Sequence, residues 1–411
     1  MARERASSTR RLLGVLRIAL AILLLGWVGK NLPWEDKLIY RDESGQEVEA
    51  HGRIEGDWKY DPVRFFPSDP AAIDARWPLV AREPVSRGEP ILAKRRGERD
   101  ALGFDWEPGM PRLFGAMDVT RLALAQGLFV LAVMTIITRW WRLLALAGCP
   151  TSWGNALRLT FLGLFFNNVL PGATGGDVVK GLAVAHENKG RGAEALVTVL
   201  VDRVFGMIAL ALVALFVILV APFVVREDGG LKSLVQLRAS LLWGLAVCVM
   251  GVVLYASKTF RRRTGLSALV DRLPLSEKLR SLDRAALLYL KQPRPVAIAF
   301  LISFVNHVLV TLGVFVLGGA LGVPRADVSL TDYFVLVPVA NLISAVPLAP
   351  GGWGVGELAF QALFRMIGAS PAMGVAVSVT FRLSQLAIGL LGGVFLLLPS
   401  SRSELREARK D

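Results

Sequence analysis

Only two cysteines, Cys149 and Cys248, and three histidines, His51, His186 and His307, occur in 411 residues. The cysteines lack CxxC spacing, so they build neither a disulfide framework nor a metal knuckle. The histidines stand singly, which argues against a zinc or iron site. HExxH, the GK[ST] of a P-loop and a Ser/His/Asp spacing are missing too. The glycine-rich "GGWGVG" follows no strand and so fails as a dinucleotide fingerprint. Acidic charge is also short: 34 Asp and Glu against 47 Lys and Arg leave a net charge of +13. No basic stripe interleaved with exposed aromatics accompanies that surplus, so nucleic acid is not the expected partner.

What the chain has instead is apolar length. Hydrophobic residues make up 53% and the mean hydropathy is +0.49, above the roughly 45–50% of a soluble globular protein. Leu12 to Val28, Leu122 to Thr138, Ala195 to Val220, Leu241 to Ala256, Val296 to Leu321 and Ala372 to Leu398 are apolar runs. Each approaches or exceeds the ~20 residues that cross a hydrocarbon core. Met1 to Val28 has a basic start, and Gly26-Trp27-Val28-Gly29-Lys30 is a poor A-x-A cleavage site, so residues 1–29 are expected to be a retained signal-anchor helix.

Between Lys30 and Arg112 the composition changes: 14 Lys/Arg, 17 Asp/Glu and six Trp or Tyr, with no spanning run. An acidic stretch after a helix that begins with Arg3, Arg5, Arg10 and Arg11 belongs outside the cytoplasm. Residues 30–115 are therefore expected as an extracytoplasmic insert, and the alternation in "GQEVEAHGRIEGDWKY" predicts a short β-hairpin in it. The loop Lys258 to Arg294 carries ten basic and three acidic residues and is expected inside, as is the basic tail 400–411. The Trp pair of "RWWRLL" fits an interfacial belt on that inner side.

Charge bookkeeping then isolates two segments in the membrane domain, 116–399, that start and finish on the same side. One contains "FFNNVLPGATGGDVVKG", the other "NLISAVPLAPGGWGVGELAF". Both are apolar yet broken by Pro and Gly, which predicts two re-entrant hairpins entering from opposite faces. In each, proline (Pro171, Pro350) is followed by glycines and an acid, Asp177 or Glu357. Each acid precedes an arginine in an apolar helix, Arg203 after 26 residues and Arg382 after 25. The fold expected is thus an all-α polytopic membrane protein of about six spans plus two re-entrant hairpins in an inverted repeat, with a small β-containing insert.

Non-helical backbone at membrane depth needs protein or a wet cavity around its N–H and C=O groups. Freed N–H groups at a helix start attract anions. An arginine in an apolar helix costs roughly 2.5–3.5 kcal/mol to insert, so it serves a partner or a ligand, and its fork suits phosphate. The candidate substrate-binding residues are Asn167, Asn168, Gly175, Gly176, Asp177, Asp202, Arg203, Gly352, Gly354, Glu357 and Arg382. Two roles stay open for the arginines, a structural ion pair with the acids or direct contact with a substrate. Asn167 and Asn168 either cap the hairpin tip or bind. No catalytic residue, metal or cofactor is expected.

The block "FFNNVLPGATGGDVVKGLAVA…ALVTVLVDRVFGMIAL", with "PLAPGGWGVGELAF", resembles the lysylphosphatidylglycerol synthase transmembrane-region family, flippase-like integral membrane proteins, over roughly Val119 to Leu398. That resemblance implies movement of a phospholipid or lipid-linked headgroup between leaflets, expected here in the bacterial inner membrane; the basic residues at both ends of the chain place both termini on the cytoplasmic side. The family is sometimes fused to a soluble aminoacyltransferase domain, which is expected to be absent here, so that no enzymatic activity is expected. The insert lies outside the resemblance. It leaves open an alternative, a non-transporting scaffold or regulator of envelope lipid or glycan metabolism that binds an envelope protein. A membrane glycolipid transferase is a more distant third.

Overall fold

The computed structural model describes residues 34–41, 46–94, 103–169, 175–188, 190–220, 292–325, 327–344 and 353–397, with single positions at 243, 250 and 254. The expected spans Leu12 to Val28 and Leu241 to Ala256, the basic loop before residue 292 and the tail lie outside the described residues, apart from those single positions.

The insert is an antiparallel sheet of five strands: β1 (Asp36–Arg41), β2 (Glu47–Glu55), β3 (Val63–Pro67), β4 (Ile91–Ala93) and β5 (Phe104–Glu107), in the order β4-β3-β2-β1-β5. Exposed and buried residues alternate strictly along β2, as a strand with one covered face requires. The covered face packs Leu38, Ile54, Phe65 and Ile91 with Trp77. Helix α1 (Leu79–Ser86) lies between β3 and β4, and α2 (Met110–Gly115) follows β5. The sheet is pinned to the chain that leads into the membrane by Asp36. Its buried carboxylate accepts from Ile54 N at 2.7 Å and Gly109 N at 2.8 Å, and from Arg112 Nε at 2.9 Å. Arg112 also donates to the carbonyl of Ile54.

Among the described residues eight helices follow: α3 (Val119–Leu146), α4 (Trp153–Val169), α5 (Gly175–Glu187), α6 (Gly192–Val220), α7 (Pro293–Ala320), α8 (Leu330–Ser344), α9 (Val355–Met366) and α10 (Pro371–Leu391). Four segments of the described residues are long and apolar enough to cross a membrane, Val119–Leu146, Gly192–Phe216, Pro293–Ala320 and Pro371–Phe395. Local chemistry sets their starts. Asp118 caps α3 by accepting from Thr120 N and Arg121 N, and Ser370 with Pro371 opens α10.

The other four helices have 17, 13, 15 and 12 residues, about 18–26 Å at 1.5 Å per residue. None alone matches a hydrocarbon core of ~30 Å. They pack as two pairs, α4 on α5 and α8 on α9. The order long, short, short, long therefore occurs twice, in α3–α6 and in α7–α10. The halves meet most extensively between α3 and α7. Each pair's first helix also packs on the last helix of the other half, α4 on α10 and α8 on α6.

One expectation needs correction. Trp140 of "RWWRLL" is fully buried rather than interfacial, its indole N–H donating to Thr198 Oγ1 at 3.0 Å. The neighbouring Arg139 is drawn inside with it, because a buried carboxylate on α6 waits there.

Candidate functional site: two arginines on one cavity

Asp177 is the third residue of α5 and Glu357 the third of α9; Arg203 is the twelfth of α6 and Arg382 the twelfth of α10. Each acid pairs with the arginine of its own half. Arg203 Nε donates to Asp177 Oδ2, and Arg382 Nε lies 2.7 Å from Glu357 Oε1. The position before each acid is glycine because no side chain fits there. A Cβ on Gly176 would run into the carbonyl of Gly163 and lie 2.7 Å from Asn167 N; one on Gly356 would run into the Arg382 guanidinium and lie 2.9 Å from Ser344 Oγ.

The helix starts differ in how they are closed. Asn167 Oδ1 accepts from Gly176 N at 2.8 Å, tying the end of α4 to the start of α5. Glu357 itself closes α9, accepting from Gly354 N at 2.5 Å. Gly354 has φ of +82°, a left-handed conformation that glycine adopts without steric penalty. Ser378 Oγ donates to the other Glu357 oxygen at 3.3 Å.

Asp202 does not join its neighbour Arg203. It accepts from Arg139 Nε at 2.7 Å, while Arg139 Nη1 donates to Ser303 Oγ at 2.7 Å and Nη2 to the Asp202 carbonyl at 3.1 Å. This pair ties α3, α6 and α7 together. Adjacent helix residues point about 100° apart, which lets Asp202 and Arg203 serve different sites.

Both Arg203 and Arg382 border one cavity of about 350 Å³ between the halves. Asn167, Asn306, Gln385 and Ser344 give it polar points, while Phe129, Phe381, Leu164 and Trp353 are among its apolar walls. Arg382 Nη2 donates to Ser344 Oγ at 3.3 Å and its guanidinium lies 5.9 Å from the centre of the Trp353 ring. A cavity of this size with apolar walls and a few convergent polar groups has the make-up of a ligand site.

Of the sequence candidates, then, Asn167, Gly176, Asp177, Arg203, Glu357 and Arg382 converge, with Gly175 and Gly354 at the helix starts. Asp202 sits in the separate Arg139 cluster. Gly352 and the side chain of Asn168 lie outside the described residues. Sequence reasoning passed over Arg139, Lys180, Asn306, Trp353 and Gln385. Arg139 carried a usable signal, since it stands among apolar residues and needs a buried acid. His307 packs between helices, its Nε2 at 3.0 Å from the Gly206 carbonyl. Among the described residues no His, Cys, Asp and Glu side chains group as metal ligands.

Helices of spanning length packed around buried ion pairs define a multi-pass integral membrane protein. The chain belongs to the family described as the lysylphosphatidylglycerol synthase TM region, which matches residues 104–393. The match begins at Phe104, in the last strand of the sheet, so most of the β unit precedes it. A UPF0104 membrane protein of Pyrococcus horikoshii is 25% identical over 315 residues, 71% of this chain and 92% of the relative. Two UPF0104 membrane proteins of Methanothermobacter thermautotrophicus are 26% identical over 240 residues (55% of this chain, 69% of the relative) and 24% identical over 293 (65% and 82%).

Proposed function

We propose that the protein moves a lipid with a phosphate-bearing headgroup, a phospholipid or a polyprenyl-linked glycolipid, between the leaflets of a bacterial inner membrane. The observation that carries this reading is the cavity bordered by both Arg203 and Arg382. Guanidinium forks are suited to phosphate oxygens, and in a site sheltered from water such charge-assisted bonds are strong. The apolar walls accommodate the glycerol or prenyl end of the lipid. The backbone N–H groups at the starts of α5 and α9 add positive potential, and Asp177 and Glu357 hold the arginines in the absence of a headgroup.

In this reading α4–α5 and α8–α9 are re-entrant hairpins that enter from opposite faces, because each helix is too short to cross and each pair folds back on itself. Both termini are cytoplasmic and the β unit is extracytoplasmic. The two halves form an inverted repeat, and rocking of one against the other exposes the cavity to each leaflet in turn. Leaflet-resolved assays with a fluorescent phospholipid in reconstituted vesicles test this: wild type accelerates exchange, and Arg203→Ala or Arg382→Ala slows it at least tenfold. Wild-type rates in both variants would overturn the headgroup role.

The β unit favours a second role beside transport, binding of an envelope protein, because most of it precedes the family match and Trp34 and Tyr60 are 59% and 71% exposed on it. Loss of envelope cross-links in Trp34→Ala/Tyr60→Ala with lipid transport intact would assign the unit to a partner. Cross-links unchanged in that variant would remove the argument.

A further inference from the structure

Three acids lie in the membrane bundle beside the cavity, and each is held by an arginine: Asp177 by Arg203, Asp202 by Arg139 and Glu357 by Arg382. Lys180 is different. It is 4% exposed, and among the described residues no carboxylate forms a salt bridge with it. Its Nζ lies instead over the indole of Trp140, 3.7 Å from the ring centre, where a proton gained would be met by a cation–π contact. Gly163 leaves the slot for its stem, since a Cβ there would sit 3.4 Å from Lys180 Cβ and 3.6 Å from Cδ.

The charged groups around Lys180 come from every side. Asp177 is on its own helix, Asp202 and Arg203 are on α6, and Arg139 is on α3. The charged residue of α4, Arg158, is taken by Glu187 at 2.6 Å. Arg139, Lys180 and Arg203 against Asp177 and Asp202 leave one positive charge in excess. Arginine does not give up its proton in proteins. Lysine is the member of the cluster that can titrate when buried.

We infer that Lys180 is a proton site linked to the cavity, protonated when a phosphate-bearing headgroup reaches Arg203 and deprotonated when it leaves. The inference rests on the headgroup reading above. A phosphate on Arg203 competes with Asp177 for the guanidinium. Asp177 precedes Lys180 by three residues, so both lie on one face of α5. The released carboxylate then stabilises the ammonium, and the Nζ lone pair takes a proton from solvent hydronium, one N–H bond forming as one O–H bond breaks and leaves water. Linkage makes the effect reciprocal, so protonation tightens headgroup binding.

Titration calorimetry on the detergent-solubilised full chain tests this, with dioleoyl phosphatidylglycerol as probe, in two buffers of different ionisation enthalpy, across about pH 7 to 10. Wild type should take up a proton fraction that rises toward one per bound lipid within that range. Lys180→Arg, which holds a fixed charge, should reduce the uptake at least fivefold, and Lys180→Gln should do the same through loss of the site. Inorganic phosphate run alongside tells the source: uptake with the lipid alone assigns it to the headgroup in its membrane setting, uptake with both to the phosphate group itself, and either supports the site. Lipid binding without uptake, or equal uptake in Lys180→Arg and Lys180→Gln, overturns the proton site and leaves the transport reading standing. Absence of lipid binding to wild type overturns both.

Discussion

Asp177 and Arg203 pair with 23% and 38% of their side-chain surface exposed, whereas Glu357 and Arg382 pair at 1% and 8%. The sequence positions are equivalent and the chemistry is the same, yet the surroundings are not. Glu357 is also the cap of its helix and an acceptor for Ser378, so it cannot turn away from Arg382 without opening the start of α9. Asp177 leaves the capping of its helix start to Asn167, and its own carboxylate is held by Arg203. In the transport reading proposed above, the first half is therefore the adjustable one and the second the fixed wall against which it works.

That contrast is broken most forcefully by uncoupling the fixed pair. Arg382→Ala leaves a buried carboxylate without its countercharge and should destabilise the protein by about 3–5 kcal/mol, read as thermal unfolding in detergent. Arg139→Ala orphans Asp202 in the same manner and should fall in that range, since those side chains are only 6% and 8% exposed. Gly176→Ala pushes α5 off α4 and should cost about 1–3 kcal/mol through overpacking. Asp177→Asn should cost less stability than Arg382→Ala, because the amide keeps an oxygen for Arg203, whose side chain is 38% exposed and borders the cavity, while lipid transport falls severalfold. A loss of stability as large as that of Arg382→Ala would erase the distinction between the halves. The smallest effect belongs to the sheet surface, where Glu55→Gln removes an exposed pair with Arg64 at 3.7 Å and should change stability by under about 0.5 kcal/mol.

Much of this was legible in the sequence. Hydropathy runs found the four described spans, since about 20 consecutive apolar residues leave few alternatives. The insert stood out by its charge, and its alternation pointed to strands, though one hairpin was visible where five strands form. The sheet is closed by β4 and β5, which are only three and four residues long and too short to carry a period. The acids and arginines were legible as singular charges in apolar sequence, and the common spacing joined the halves. Which arginine each acid meets was not, because spacing along the chain left Arg203, Arg382 and a substrate all open as partners. Arg139 was passed over and Trp140 was placed in an interfacial belt because an Arg-Trp-Trp-Arg run reads as a membrane border, and only the α3–α6–α7 packing turns these two side chains inward. The cavity depends on contacts between halves more than a hundred residues apart, which no local pattern encodes.

The central claim is that both guanidiniums bordering the cavity handle the headgroup, one on the adjustable side and one on the fixed side. Leaflet-resolved phospholipid exchange in vesicles, with Arg203→Lys compared with wild type, tests it most directly, since lysine keeps the charge and loses the fork. The account predicts a folded protein with exchange slowed at least tenfold. Exchange at the wild-type rate would contradict it.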